Sequence, residues 1–243
     1  MIEVAAPAKL TLSLRILGAR SDGYHRIDAE MVSLDFADRL WIDPDGDGIE
    51  VTGAGQGAVP ADADNLVSRA LRLCGRTAAI RIEKHIPPGA GLGGGSADAA
   101  AILRWAGFDD VEAAAGIGAD VAFCLRGGRA RVTGIGERIE SLDVVSATYT
   151  LLTPPLHCST PAVYAMWDEL GGPQGDHHND LEPAALAAYP DLAAYRDRLA
   201  EHSGGRPRLA GSGSTWFVEG AFPGPAYRVV QSTGPAGSDP VQA

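Results

Sequence analysis

Alternating apolar and polar residues near the N-terminus predict that the chain begins with a long β-strand. The run L-T-L-S-L-R-I-L lies within residues 2–17, and alternate residues of a strand face opposite sides of a sheet. A strand pair is predicted over residues 31–42, with a bend near 35–38, and shorter strands over 49–52 and 78–85. The first third of the chain is therefore expected to build a sheet.

Runs at helical spacing follow, and residues that can cap a helix precede them. Asn65 stands before the first run, and Ser159 or Thr160 stands before another that has Pro161 in its first turn. One or two further helices are predicted over 180–200. Additional strands are predicted over 130–140, 149–152, 215–218 and 226–231.

Residues 86–104 change abruptly from a loop to a helix. Five of the residues in 89–95 are glycine, and from Ser96 the sequence turns to Ala, Ile and Leu, which favour helix. Such a loop aims backbone N–H groups and the positive end of the helix dipole at one point. We therefore predict a phosphate site here rather than an ordinary flexible surface loop.

Two well-known phosphate loops do not fit this segment. A Walker loop requires a Lys after its glycines, and none follows here. Gly89, Gly91 and Gly94 do match G-x-G-x-x-G, with acidic residues about twenty positions on, as in dinucleotide-binding loops. However, two prolines precede the loop and no clear βαβ unit surrounds it, so a dinucleotide site is disfavoured.

Composition and charge exclude several classes of function. No apolar run approaches the roughly 18 residues of a membrane span, and the N-terminus lacks the basic and apolar regions of a signal peptide. The formal net charge of -11, with no basic stripe, argues against partners such as nucleic acid or an anionic membrane. Cys74, Cys124 and Cys158 have no metal-binding spacing and indicate reduced thiols, so a cytoplasmic location is expected.

Lysine is rare enough to be informative. Of the 20 basic residues only Lys9 and Lys84 are lysines, and the remainder are arginines. A compact ammonium on a flexible stem differs from a planar guanidinium, so these two positions are predicted to need a property that Arg lacks. Asparagine is equally scarce, at Asn65 and Asn179.

Four motifs, in a fixed order along the chain, together resemble the GHMP small-molecule kinases. They are P-A-K-L-T-L at 7–12, R-S-D-G-Y-H at 20–25, P-P-G-A-G-L-G-G-G-S-A-D-A-A at 87–100 and G-A-D-V-A-F at 118–123. Shorter matches occur at 64–66, 159–161, 179–182 and 209–214. The resemblance spans nearly the whole chain; Lys9 and both asparagines lie within its motifs, and Lys84 lies three residues before the longest one.

The resemblance implies an ATP-dependent kinase for the 2-hydroxyl of a cytidine-diphosphate-linked methylerythritol, in non-mevalonate isoprenoid synthesis. It implies an α+β fold of two domains, a ribosomal-S5-like N-terminal domain over 1–145 and a ferredoxin-like C-terminal domain over 146–243. The small-molecule substrate and ATP are expected to meet between them. The tail at 233–243 is polar with Gly and Pro and is expected to be disordered. Monomer and homodimer both remain open.

The resemblance also assigns residues to catalysis and to ATP. Asp120 matches the family's catalytic aspartate, which accepts the proton of the attacking hydroxyl, and Lys9 matches its catalytic lysine. Mg²⁺ is expected to arrive with the nucleotide, and no separate metal site is predicted. The residues expected near the adenine are Asn65, Leu66 and Lys84, and those expected around the phosphates are Pro88, Gly89, Gly91, Leu92, Gly93, Gly94, Gly95 and Ser96.

At the substrate, Tyr24 and His25 match the positions that receive the cytidine, and Tyr164 matches a second aromatic. Two aromatic faces can sandwich a pyrimidine while His25 hydrogen-bonds its edge. Thr11 is a departure, because family members commonly carry Asn there; a hydrogen bond to the substrate would then be weakened or remade by a hydroxyl. Further substrate contacts are expected from Thr160, Gly211 and Ser212.

Two alternatives remain at this point. Another GHMP kinase, acting on a polyol or a mevalonate-type substrate, would not need Tyr24, His25 and Tyr164 together. The second alternative is a shortened nucleotide-binding protein without catalytic activity. Thr11 and the short segments after residue 100 and near the C-terminus suggest it. Intact Lys9, intact Asp120 and the full glycine loop argue against it.

Overall fold

Two long antiparallel strands form the centre of the structure, a computed structural model that describes residues 1–54 and 64–235. Strand β1 (Ile2–Ala19) pairs with β2 (His25–Asp43) over nearly the whole length of both. The pairing register shifts in β1, once on each side of the segment that carries Lys9 and Thr11. β2 is one continuous strand, so the expected strand pair over 31–42 is wrong; pairing to further strands along β2 keeps it extended.

The N-terminal sheet grows outward from β2. Strand β3 (Gly48–Gly53) runs parallel to β4 (Ala79–Lys84), which is antiparallel to β2. Strand β5 (Arg129–Gly134) pairs with β2 and with β6 (Arg138–Leu142). The apolar residues of these strands that lie in the main core, such as those of β4 at alternate positions, are almost fully buried.

Four helices belong to the N-terminal half: α1 (Leu66–Leu73), α2 (Gly94–Trp105), α3 (Val111–Ala115) and α4 (Ala119–Arg126). α2 is the central one and packs against α1, α4 and β1. Every residue of α2 from 97 to 103 is buried. Four of those seven are alanines, whose small side chains let the neighbouring elements approach from several sides.

The C-terminal half is an antiparallel sheet covered by helices. Its strands are β7 (Thr148–Leu152), β8 (Arg208–Leu209), β9 (Trp216–Glu219) and β10 (Arg228–Thr233). Its helices are α5 (Thr160–Glu169), α6 (Glu182–Ala188) and α7 (Leu192–Ser203). The Ser159 hydroxyl caps α5, which decides between the two predicted caps.

The last described strand joins the two halves of the molecule. β10 pairs with β7 and, through its last residues, with β2, which gives the strand order β3-β4-β2-β10-β7-β9-β8. Disorder from residue 233 onward is wrong for the first residues of the tail, because Thr233 belongs to β10 and Pro235 forms a bridge with Gly127. Residues 236–243 lie outside the described residues. The predicted α+β class is confirmed. Among the described residues, no helix is long and apolar enough to cross a membrane.

Candidate active site

A cleft of about 810 Å³ brings the predicted site residues together. Only the Leu92 side chain is absent from its walls: it is buried in the core, while the Leu92 carbonyl accepts a hydrogen bond from the Lys9 backbone N–H at 3.0 Å. The predicted residues that do line the cleft are Lys9, Thr11, Tyr24, His25, Asn65, Leu66, Lys84, Pro88, Gly89, Gly91, Gly93, Gly94, Gly95, Ser96, Asp120, Thr160, Tyr164, Gly211 and Ser212.

The glycine cradle, residues 89–96, has the geometry of an anion site. Gly89, Gly91 and Gly93 have left-handed backbone with φ of 70°, 77° and 68°, and α2 begins directly after Gly93. The first intrahelical bond runs from the Ala97 N–H to the Gly93 carbonyl, at 2.8 Å. The N–H groups of the preceding helical residues have no partner within the helix, so they are suited to phosphate oxygens.

Close contacts around the cradle explain why it needs glycine. A Cβ on Gly91 would overlap the carbonyl oxygen of Ala210 and lie 2.7 Å from that of Gly213. A Cβ on Gly93 would lie 2.7 Å from the Lys9 Cγ. The cradle is thus pressed between β1 and the second glycine loop, residues 211–214, and a side chain at either position would push these parts of the cleft apart.

We expect Gly91→Ala to raise the KM for ATP by about tenfold or more, because left-handed backbone and steric overlap both oppose the native loop. Gly205→Ala is the matched control, since Gly205 does not line the cleft and a Cβ there meets only ordinary contacts, 3.4 Å from the Ser203 Oγ and 3.6 Å from the Val218 Cγ1. Steady-state kinetics should show a KM for ATP near the wild-type value for Gly205→Ala. Equal effects of the two substitutions would contradict this account of the cradle.

Lys9 and Asp120 meet beside the cradle although they are far apart in sequence. The Lys9 Nζ lies 3.3 Å from the Asp120 Oδ2, and the two side chains are 6% and 32% exposed. Asp120 is in the first turn of α4, while Lys9 comes from the segment of β1 between two register shifts. The Asp120 carboxylate is therefore accessible from the cleft, whereas the Lys9 ammonium group is nearly buried beside it.

Thr11 lies two residues after Lys9 and shares its face of β1. The Lys9 Nζ donates a hydrogen bond to the Thr11 Oγ1 at 3.0 Å, and Thr11 is 2% exposed. The hydroxyl thus holds the ammonium group from the side while Asp120 holds it from another. The Asn-to-Thr departure leaves the Lys9–Asp120 pair in place.

The ammonium group of Lys84 lies between two buried carboxylates. Its Nζ donates to Asp98 Oδ2 at 2.6 Å and also to Asp38, and the three side chains are at most 3% exposed. Burial alone would lower the Lys84 pKa, but Asp98 and Asp38 together raise it. Burial raises the Asp98 pKa to about 7, opposed by Lys84 and reinforced by Asp38.

This cluster of Lys84, Asp38 and Asp98 connects β4, β2 and α2 directly beneath the cradle. A Cβ on Gly94 would lie 3.1 Å from the Lys84 Nζ. Because its charge is already paired, Lys84 is placed to fix the start of α2; its contact with the nucleotide stays a prediction. Asp38 and Asp98 were not predicted from the sequence as partners of Lys84. For Asp38, on β2, no local sequence pattern indicates the contact.

Hydrogen bonds hold several of the residues that are predicted to contact adenine and the substrate. The Asn65 Oδ1 accepts from the Val67 N–H at 2.8 Å, so Asn65 is the N-cap of α1, and its contact with adenine stays a prediction. Thr160 and Ser212, which both line the cleft, hydrogen-bond through their hydroxyls at 2.8 Å. The Asn179 Nδ2 donates to the Gly211 carbonyl at 2.7 Å and to the Leu209 carbonyl at 2.9 Å. The second glycine loop is therefore held in place.

The far end of the cleft is aromatic. The His25 ring lies 4.9 Å from that of Tyr164, tilted by 34°, and 5.4 Å from that of Trp167, edge to face. The His25 Nε2 lies 2.8 Å from the Asp168 Oδ1. Burial, and then the charge of Asp120, raises the Tyr164 pKa, so its hydroxyl is neutral. Tyr24 is 59% exposed at the mouth.

Sequence reasoning missed Trp167 and Asp168, although a signal was available. They lie three and four residues after Tyr164 on α5, a spacing that places side chains on one face of a helix. The prediction of Tyr164 as a second aromatic therefore pointed to both residues. The expected sandwich of a pyrimidine between Tyr24 and Tyr164 stays a prediction.

A helix N-terminus with a glycine cradle, beside an ion pair of Asp and Lys, is an arrangement suited to transfer of a phosphoryl group to a small molecule. Residues 65–128 match the family model for the GHMP kinases N terminal domain. The fold is shared with a homoserine kinase from Cytophaga hutchinsonii, with a TM-score of 0.60, 18% identity, and coverage of 97% of this chain and 95% of that one.

Related proteins and a solved structure show which branch of the GHMP kinases the chain resembles. The chain is 38% identical to a 4-diphosphocytidyl-2-C-methyl-D-erythritol kinase of Paracoccus denitrificans, over 97% of this chain and 92% of the relative. It is 35% identical to one of Nitrosomonas europaea, over 88% and 86%. A crystal structure of 4-(cytidine 5'-diphospho)-2C-methyl-D-erythritol kinase superposes with a TM-score of 0.73 at 31% identity, covering 96% and 100%. The chain belongs to the GHMP kinase family, in the branch that these kinases form.

Proposed function

We propose that this kinase transfers the γ-phosphoryl group of ATP to the 2-hydroxyl of 4-(cytidine 5'-diphospho)-2-C-methyl-D-erythritol. The observation that carries the proposal is the Lys9–Asp120 pair, at 3.3 Å, in the same cleft as the glycine cradle and the aromatic end. The substrate is the one for which the related kinases of Paracoccus denitrificans and Nitrosomonas europaea are named.

The chemistry follows from what phosphoryl transfer requires. The transition state is loose and its charge is spread over oxygens, so the protein contributes mainly alignment and charge stabilisation. Asp120 takes the proton of the 2-hydroxyl as that oxygen bonds to the γ-phosphorus and the bond to the bridging oxygen of ADP breaks. Lys9 keeps Asp120 ionised and stabilises the substrate oxygen as it loses its proton. The cradle N–H groups hold the phosphates of ATP.

The residues at the cradle also fit a magnesium ion bound mainly through the nucleotide. Mg²⁺ prefers oxygen ligands and keeps several waters, so one or two protein oxygens suffice. The Ser96 hydroxyl lines the cleft at the start of α2 and could supply one. In the parts of the chain that the structure describes, no group of three His, Cys, Asp or Glu side chains could hold a metal ion by itself. Bound there, Mg²⁺ would neutralise charge on the transferred phosphoryl group.

Thr11→Val is expected to lower kcat by about tenfold with little change in the KM for ATP, because one hydrogen bond that orients Lys9 is lost. Valine has nearly the shape of threonine, so packing is preserved. Thr11→Ser keeps the hydroxyl and should retain most of the wild-type kcat. The measurement is steady-state kinetics on the two variants, and equal rates for valine and serine would show that the hydroxyl does not position Lys9.

The proposed reaction is tested by measuring ADP release with a panel of alcohol acceptors. The panel holds the cytidine-diphosphate-linked methylerythritol, the same polyol without the nucleotide, mevalonate and homoserine. We expect substantial turnover only with the first. Turnover with homoserine or mevalonate would move the chain to another branch of the family. ATP binding without turnover of any acceptor would identify a nucleotide-binding protein without catalytic activity.

A further inference from the structure

His25 is held at the aromatic end of the cleft in one orientation. Its side chain is 7% exposed, with Tyr164 tilted against the ring and Trp167 edge-on to it. Its Nε2 faces the Asp168 Oδ1 at 2.8 Å. Two aromatic contacts and one polar contact, from three residues of α5, leave the ring little freedom to rotate or flip.

Asp168 decides which nitrogen of that ring carries the proton. A carboxylate can only accept, so the hydrogen bond at 2.8 Å requires a proton on the His25 Nε2. In a neutral imidazole the other nitrogen, Nδ1, then presents a lone pair. Among the described residues, none forms a hydrogen bond with the His25 Nδ1. This atom is also not one of the fully buried polar atoms that lack a partner, so part of its surface is exposed. Nδ1 is therefore accessible to a ligand as an acceptor.

We propose that Asp168 is a positioning residue that makes this site selective for an amino-bearing pyrimidine. This inference rests on the proposed function, in which the aromatic end receives the nucleobase. Cytosine carries an N–H₂ donor where uracil carries a carbonyl acceptor. With cytosine bound, the Nδ1 lone pair would accept a hydrogen bond from the amine. With uracil bound in the same pose, Nδ1 and the uracil oxygen would both be acceptors and would repel each other.

The polarity of this contact depends on the carboxylate and not on the shape of the pocket. Without an acceptor at position 168 the imidazole can adopt either tautomer, so Nδ1–H can donate to a carbonyl as well as Nδ1 can accept from an amine. Loss of Asp168 should therefore relax the choice between cytosine and uracil while the stacking residues remain. A purely structural role of Asp168 would weaken both ligands equally.

The test is calorimetric binding of the cytidine-linked substrate and its uridine counterpart at pH 8, with saturating ADP to occupy the cradle. We expect wild-type protein to bind the cytidine form at least about tenfold more tightly, and Asp168→Leu to reduce the ratio to about threefold or less. Asp168→Asn retains an acceptor and should be intermediate. Glu169→Gln, at the next and exposed position of α5, removes a negative charge without touching His25 and should keep the wild-type ratio.

A direct readout accompanies the affinities. Two-bond ¹H–¹⁵N correlations of the His25 ring should show the proton on Nε2 in the wild type and a mixture of tautomers in Asp168→Leu. An unchanged cytidine preference in Asp168→Leu, or a wild-type proton on Nδ1, overturns the inference even if the kinase reaction is confirmed. Failure of the wild type to bind or phosphorylate the cytidine substrate overturns the proposed function instead.

Discussion

Asp120→Asn is expected to lower kcat by about a thousandfold while the affinity for ATP stays within about threefold of the wild type. Asparagine has the size of aspartate but cannot accept the proton of the attacking hydroxyl. It also leaves the nearly buried Lys9 ammonium, 3.3 Å from the original carboxylate, without its charged partner. The cradle proposed to hold ATP is formed by other residues, so nucleotide binding should survive.

Single-turnover kinetics and ATP titration by calorimetry separate these effects. Asp109→Asn is the matched control, because it makes the same chemical change at an exposed residue that does not line the cleft. That control should have wild-type kcat and wild-type ATP affinity. Near-normal turnover in Asp120→Asn would rule out its role as the base, and a comparable loss of ATP binding would place it at the nucleotide instead.

Lys84→Met is expected to lower the free energy of unfolding by about 3–5 kcal/mol, because it leaves buried carboxylates without their counter-charge. The two carboxylates belong to Asp38 on β2 and Asp98 on α2, and both are essentially inaccessible to water. Asp38 also accepts from the backbone N–H groups of residues 85 and 86, so it cannot turn away to solvent without further loss. The start of α2 should loosen with the cluster.

Urea unfolding of matched variants tests this prediction. Arg81→Met removes a cation from an exposed position of the same strand and should cost less than about 1 kcal/mol. Adding Asp98→Asn to Lys84→Met removes one of the unpaired carboxylates, so the double variant should be less destabilised than the sum of the single ones. If Lys84→Met unfolds like the wild type but has a raised KM for ATP, then Lys84 serves the nucleotide and not the fold.

Much of the site could be predicted because its chemistry is written in contiguous residues. The glycines of the cradle lie directly before their helix and in its first turn, and left-handed φ with close contacts at the Cβ position explains Gly89, Gly91 and Gly93. The scarcity of lysine singled out Lys9 and Lys84, and both prove to be buried and paired with aspartate. At these positions the local sequence alone was enough to predict the residues that the structure places in the cleft.

Other features depend on contacts between distant residues and could not be read locally. Asp38 reaches Lys84 only because β2 and β4 pair in one register, which no short segment specifies. The single continuous β2 was missed for the same reason. The Thr11 contact with Lys9 was within reach, because residues two apart on a strand share a face, but a resemblance to family members with Asn directed attention to the substrate.

The most direct test of the account is to identify the product formed from ATP and the cytidine-diphosphate-linked methylerythritol by ³¹P and ¹³C NMR. The 2-carbon bears a methyl group and no hydrogen. Transfer to its hydroxyl should therefore give a new phosphate-ester signal that couples to the methyl carbon and shows no three-bond coupling to a carbinol proton. A phosphate on another hydroxyl, or ADP formed with the polyol unchanged, would contradict the assignment of Asp120 and Lys9 to that oxygen.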